Sequence, residues 1–285
     1  MPELPEVEAA RRVTAALAVG RRIVGVWCAA DPIVFEGVTP RRVTAALRGA
    51  RVRAVRRHGK HFWLELDGRP WLLVHFGMTG GVHVPGASSV RLKSSRGAPA
   101  PGWPPRFVKL RLTFDDGGEL AIADGRRLGR IRLRHDPRQR ATSDRPRLRR
   151  ASRAPATRPL SRVCSPRAAS PIKAVLLDQS FAAGVGSWIA DEVLYQARIA
   201  PNRQARSLTR PESARLRSRL PHRPRHRRTR PRRQRPLPKT WLFHHRWDHD
   251  PLARTASRRA SPLGNHRRPH YRLGSSLQLL ASASS

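Results

Sequence analysis

Apolar positions at the start of the chain recur with a helical period. Ala9, Ala10, Val13 and Leu17 lead to Gly20, a spacing that gathers them on one side of a helix with a glycine just past its end. The period then shortens. From Arg21 to Leu133 apolar residues come in short runs, Ile23 to Trp27 and Val52 to Val55 among them, and Phe62, Leu64 and Leu66 alternate with their neighbours. Turn residues separate these runs at Asp67-Gly68, Pro85-Gly86 and Asp115-Asp116-Gly117-Gly118, which predicts a succession of β-strands. Thr39-Pro40 opens a short helix reaching Leu47. Strands this short and numerous bury their apolar faces by packing sheet on sheet. Residues 1–133 are therefore expected to form an N-terminal helix plus a β-sandwich, in a chain of the α+β class.

Beyond Leu133 the pattern disappears. Residues 134–170 hold eleven arginines, no lysine and two acids, Asp136 and Asp144, with no apolar period, and are expected to be a disordered basic linker. Order returns at Pro171. Ile172, Val175 and Leu176 fall at helical spacing, Gly184-Val185-Gly186 makes a turn, and Ile189, Val193 and Leu194 restart a helix that Pro201 ends. A helical domain is expected over 171–256. Within it, thirteen arginines face the single acid Glu212 between Ala205 and Pro236; with no apolar stripe there, 205–235 is expected to be disordered. Residues 257–285 read as a degenerate tail.

Charge narrows the partner. The 285 residues carry 58 Lys and Arg against 19 Asp and Glu, a net +39, and such an excess without an amphipathic apolar face favours nucleic acid over a membrane. No run of ~18 apolar residues and no signal peptide is visible, which predicts a soluble protein. Only five of the cations are lysines, the signature of GC-rich coding sequence or of a displaced reading frame. The two cysteines, Cys28 and Cys164, suggest neither a disulfide framework nor a four-cysteine zinc site. The adjacent His244 and His245 have no third ligand at suitable spacing, so no metal is expected.

The first eight residues, MPELPEVE, hold the candidate chemistry. Removal of Met1, which the small Pro2 permits, leaves a secondary amine on a rigid ring. An α-amino group titrates near pH ~8, so a useful fraction is neutral at physiological pH. Such an amine attacks an aldehyde-like carbon to give an iminium, the covalent route lysine takes elsewhere. Glu3 and Glu6 supply carboxylates, one to move protons and one to hold the terminus by charge.

PELPEVE followed by a helix and Gly20 resembles the formamidopyrimidine-DNA glycosylase and endonuclease VIII family of base-excision repair enzymes. Three further stretches of the first domain share the resemblance. In HGKHFWLEL, Lys60 stands where the family holds phosphate near the scissile nucleotide. In HFGMTGGVHV, Met78 stands where the family fills the hole left by an everted base, a known use of apolar wedges. ADGRRLGRIRL resembles the family's Asp-Pro-Arg-Arg-Phe-Gly loop. Arg127 takes the place of the arginine facing the orphaned base and Leu128 that of the aromatic wedge, with Gly125 for proline. Leu128 keeps an apolar wedge without aromatic stacking.

PIKAVLLDQSFAAGVGSWIADEVLYQARIAP resembles the family's helix–two-turn–helix, whose turn and helix N-terminus bind phosphate. That likeness implies DNA contact by Lys173, Gly184, Gly186 and Ser187, the last in place of the usual asparagine. PLPKTWLFHHRW resembles the zinc-less plant and fungal branch, so a zinc finger is expected to be absent or degenerate. Gly264 to Ser276 can be back-translated so that a one-nucleotide shift yields ETIGGRTTAWVP, which looks like the hairpin of that branch. The arginine-rich segments thus look frameshifted, with in-frame family segments joined to out-of-frame ones.

The resemblance implies a bifunctional glycosylase and AP lyase acting on oxidised purines in damaged double-stranded DNA as a monomer without a cofactor, with Pro2, Glu3, Glu6 and Lys60 as its catalytic group. It also implies the nucleus if the source is eukaryotic and the cytoplasm otherwise. The alternative is an inactive family derivative or a purely basic nucleic-acid-binding protein.

Overall fold

The computed structural model describes residues 2–86, 102–137, 169–220 and 241–242. It divides into two units, Met1–Arg149 and Arg150–Ser285. The expected tail at 257–285, the PLPKTWLFHHRW stretch apart from Trp241 and Leu242, residues 221–235 and most of the expected linker lie outside the described residues.

The first unit opens with helix α1, Leu4–Ala18. Val7, Ala10, Thr14 and Ala18 are buried, one stripe at helical spacing. Of the expected face of Ala9, Ala10, Val13 and Leu17 only the two alanines are buried, Val13 being exposed because the stripe runs through Thr14 instead. Pro5 lies in the first turn, where its missing N–H costs no helical bond. Helix α2, Pro40–Leu47, begins as the Thr39-Pro40 signal requires, with the Thr39 hydroxyl accepting from Arg42 N at 3.3 Å.

Eight strands form two four-stranded antiparallel sheets. One has the order β1 (Ile23–Cys28), β6 (Val108–Phe114), β7 (Glu119–Ala123), β5 (Gly81–His83). The other has the order β2 (Val52–His58), β3 (His61–Leu66), β4 (Trp71–His75), β8 (Arg130–Arg134). The sheets enclose a continuous core that includes Ile23, Val43, Leu47, Phe62, Leu72, Leu110, Phe114 and Ile131, each 1 % exposed or less. The Asp67-Gly68 and Asp115–Gly118 signals fall in the β3–β4 and β6–β7 turns. Strand β3 departs from simple alternation. Trp63 and Glu65 are buried as well as Phe62, Leu64 and Leu66, because Glu65 takes an ion pair from Arg56 at 3.0 Å and a hydrogen bond from the Trp63 indole at 3.3 Å.

The second unit holds α3 (Ile172–Leu177), α4 (Ser187–Ala197), a 3₁₀ turn at Ala205–Ser207 and α5 (Arg210–Arg219). Ile172, Val175, Leu176, Ile189, Val193 and Leu194 are all buried, as their spacing predicts. Helix α5 corrects the expectation of disorder for the described part of 205–235, residues 205–220. It forms without an apolar stripe because its start is a reciprocal cap: Thr209 accepts from Glu212 N and Glu212 accepts from Thr209 N at 2.8 Å. Leu216 and Leu220 then suffice as buried anchors, and the Arg203–Glu212 ion pair adds a charged tie. Arg217 and Arg219 in the last turn complement the helix dipole.

Candidate active site

The terminus is built by the helix it precedes. Pro2 and Glu3 are buried, and Glu3 is the extended N-cap of α1. Its backbone N–H donates to Glu6 Oε2 at 3.0 Å, so Glu6 holds the backbone next to Pro2. Lys60 stands on the turn joining β2 to β3. Burial lowers its pKa and the negative charge of Glu3 opposes that fall, so the two side chains sense each other. Of the four residues named for catalysis, Glu3, Glu6 and Lys60 are thus linked to one another at the terminus that carries Pro2.

Helix α1 is stapled to the sheet beneath by one carboxylate. Glu8 pairs with Arg11 at 2.9 Å, Arg12 at 3.0 Å and Arg57 of β2 at 2.9 Å, and Arg11 also donates to Val55 O at 3.2 Å. Burial raises the Glu8 pKa, but the hydrogen bonds from Arg11, Arg57 and Arg12 outweigh it and hold it at about 2.

Met78, Arg127 and Leu128 come from two loops that the fold locks together. Met78 is half-buried on the turn between β4 and β5, with Gly77 at φ +60°. A β-carbon at 77 would lie 2.3 Å from the Leu128 carbonyl carbon, so only glycine permits the two backbones to approach this closely. The buried Asp124 carboxylate joins the loops, accepting from Thr79 Oγ1 at 2.9 Å, Arg126 N at 3.1 Å and Gly129 N at 2.6 Å. Leu128 is left 39 % exposed.

Arg127 sits in the left-handed region at φ +56°. Its Nε donates to Asp31 Oδ2 at 3.0 Å and its Nη2 to Asp31 Oδ1 at 3.1 Å, while Lys109 Nζ donates to Oδ2 at 2.8 Å. Asp31 is 5 % exposed. Burial alone would raise its pKa, yet Arg127, Lys109 and the Val34 amide together hold it well below the usual carboxylate range. Beside this corner Leu128, His61, His75, Arg130, Arg132 and Glu36 line a cavity of about 350 Å³.

In the second unit Gly184, at φ +97°, and Gly186, the N-cap of α4, shape the turn between α3 and α4. Gln179 brackets it, accepting from Gly184 N at 3.1 Å and donating to Val185 O at 2.8 Å. Ser187 opens α4, at the positive end of its dipole. Lys173 lies inside the unit. It is 6 % exposed and ion-paired with Asp191 at 2.5 Å. The residue at the start of a short helix with an apolar face is drawn inward with that face.

Asp31, Asp124, Glu8 and Gln179 are the residues sequence reasoning did not single out. Asp124 alone had a signal, its place at the head of the ADGRRLG loop. Among the described residues no group of three or more His, Cys, Asp or Glu could hold a metal ion, and no helix is long and apolar enough to cross a membrane.

A helix-led β-sandwich with a buried terminal Pro-Glu pair, followed along the chain by a glycine-turned helical unit, defines a class that sequence comparison identifies. The formamidopyrimidine-DNA glycosylase N-terminal domain matches residues 1–131, and the helix–two-turn–helix domain of the same enzymes matches 156–222, beginning inside the expected 134–170 linker. A formamidopyrimidine-DNA glycosylase of Arabidopsis thaliana is 39% identical over 73% of this chain and 53% of its own length. One from Methylocella silvestris is 36% identical over 73% of this chain and 70% of its own length. The chain spans about half the length of the Arabidopsis relative. Among solved structures, the MutM (Fpg) protein of Thermus thermophilus is 34% identical with a TM-score of 0.54, covering 77% of this chain and 73% of that one. The Lactococcus lactis Fpg in complex with abasic-site DNA shares the fold, with a TM-score of 0.60 at 23% identity over 77% of this chain and 76% of that one. The chain belongs to the formamidopyrimidine-DNA glycosylase family, the DNA glycosylases of base-excision repair.

Proposed function

We propose that this chain excises oxidised purines, formamidopyrimidines foremost, from damaged double-stranded DNA and then cuts the strand at the abasic site, acting as a monomer. Met78, Arg127 and Leu128 fill the space vacated by the everted nucleotide, and the Gly184–Ser187 turn takes phosphate. With Met1 removed, the Pro2 nitrogen attacks deoxyribose C1′ and the base departs with the C1′–N bond electrons and a proton. The ring opens to an iminium as O4′ takes a proton; loss of a C2′ proton sends its bond electrons toward the positive nitrogen and expels the 3′ phosphate, and loss of the C4′ proton then expels the 5′ phosphate. The iminium formed from the amine is the electron sink, so the scheme invokes no redox cofactor.

The single observation carrying this reading is the arrangement at the terminus: a buried Glu3 beside Pro2, its backbone clasped by Glu6 and its charge facing Lys60. Burial of a carboxylate next to an amine suits Glu3 to exchanging protons there, while Glu6 orients. Borohydride trapping on a duplex with an abasic site, comparing the protein with Pro2→Gly and with a blocked terminus, tests it. A covalent adduct lost in both variants is expected. If no adduct forms while DNA binding persists and weakens steeply with salt, the chain is a basic binder, a reading its net charge of +39 favours.

A further inference from the structure

The loop bearing Arg127 and Leu128 departs from the family pattern twice, with Leu128 at the aromatic wedge and Gly125 at the proline. A third residue, distant in sequence, connects the two departures. Phe107 is 58 % exposed, the most exposed of the large apolar residues among those described. Its backbone sits at φ +61°, a conformation unfavourable for a bulky side chain and retained where surrounding structure enforces it. That structure is visible. The Phe107 carbonyl accepts from Asp124 N at 3.0 Å, next to the head of the wedge loop. The β6–β7 register also shifts between Val108 and Leu110, a bulge of the sort that re-aims neighbouring side chains.

The ring is thereby turned onto the wedge loop. A β-carbon at position 125 would lie 3.1 Å from Phe107 Cδ2 and 3.5 Å from Cε2, so a proline ring there would crowd the aromatic and glycine admits it. The Arg106 guanidinium carbon lies 5.1 Å from the Phe107 ring centroid, placing a cation beside an aromatic face, the combination with which proteins hold unpaired nucleotides. Leu128, on the same loop, offers bulk without a π-face.

We propose that Phe107 is a DNA-contacting residue of this protein, stacking on the base left unpaired beside the lesion and supplying the aromatic face that Leu128 lacks. The inference rests on the reading above that the chain engages damaged duplex DNA. It adds a third loop to the wedge of this protein, with apolar bulk from 128 and aromatic stacking from 107.

The test uses the full chain and a duplex carrying an abasic site opposite 2-aminopurine, whose emission stacking quenches. The wild type is expected to bind this duplex more tightly than an undamaged one and to quench it. Phe107→Ala and Phe107→Leu should each weaken binding on the order of tenfold, within the factor of ~5 to ~150 that base–aromatic stacking supplies, and should lose the quenching. Phe107→Tyr should keep both. The double variant Phe107→Ala, Leu128→Phe should recover binding, because the aromatic face returns from the neighbouring position; a purely structural Phe107 could not be rescued this way. Thermal midpoints within a few degrees of wild type for Phe107→Ala and Phe107→Leu separate contact from misfolding, and Phe107→Leu quenching like wild type overturns the proposal. A wild type that does not distinguish the abasic duplex overturns the damaged-DNA reading itself, and this proposal with it.

Discussion

The proline terminus and the wedge corner lie in one sandwich and are held by opposite means. The terminus is placed by regular structure: α1 buries an apolar stripe, and the Glu8–Arg57 pair fixes the helix on β2. The wedge corner has little regular structure. Arg127 and Phe107 sit in left-handed backbone, and two buried carboxylates, Asp31 and Asp124, gather the donors of several loops. A nucleophile needs one fixed position, which a helix provides. Side chains that enter a duplex must stand clear of the protein surface, and polar clamps supply that where a core cannot.

If the division holds, chemistry and grip should fail separately. The largest effect is expected at the terminus. Glu3→Gln should lower strand cleavage by about 10²–10⁴-fold, the range for loss of a positioned proton-transfer group, with binding to the abasic duplex retained; equal losses of binding would put Glu3 in the grip instead. Asp124→Ala strands the Thr79, Arg126 and Gly129 donors and should cost roughly 2–3 kcal/mol in denaturant unfolding. It should loosen binding while single-turnover cleavage of already bound substrate changes less.

Asp31→Asn is a finer cut. Ile33 N and Val34 N cap Oδ1, which asparagine keeps, whereas Lys109 and Arg127 Nε meet at Oδ2, which it replaces with an amide donor. About 1–2 kcal/mol of stability should go, the exposed Arg127 end being screened, and discrimination between bases opposite an abasic site should narrow. Unchanged discrimination would separate Asp31 from the role given to Arg127.

The smallest effect concerns pH. The Glu8 carboxylate has its pKa depressed in the folded protein from 4.5 to about 2, so its stabilisation is complete above the unfolded value and fades as pH falls from about 4.5 toward about 2. Glu8→Gln should remove about 1 kcal/mol at neutral pH and flatten the acid limb of the thermal-midpoint profile across that window. A profile as steep as that of the wild type would mean other carboxylates set it.

The legible parts of the molecule were those where local period and local chemistry agree. The Thr39-Pro40 start of α2 and the glycine turn before α4 both depend on residues within a few positions of one another. Helix α5 was illegible by pattern because its stability comes from a cap and two anchors in arginine-rich sequence, although Thr209 and Glu212 stand at capping-box spacing. The terminal residues and both wedge loops were legible as motifs. Their supports were not, since Asp31 meets Arg127 across 96 positions and Lys109 across 78, and Thr79 meets Asp124 across 45. Lys173 was named from the motif alone, which carries no sign of the Asp191 carboxylate that folds against it.

The absent side chain at Gly77 has a kinetic meaning. A protein looking for rare lesions probes an enormous number of sound base steps, and a probe that must be ordered afresh at each one loses conformational entropy every time, about 1–2 kcal/mol per residue fixed. With Gly77 seated against the Leu128 carbonyl, the role proposed for Met78 and Leu128 would have them travel as a single tooth whose ordering was completed during folding. An alanine at 77 would leave both side chains present and turn a rigid feeler into two independent ones, and its cost would appear in the time taken to find damage more than in the rate of repairing it.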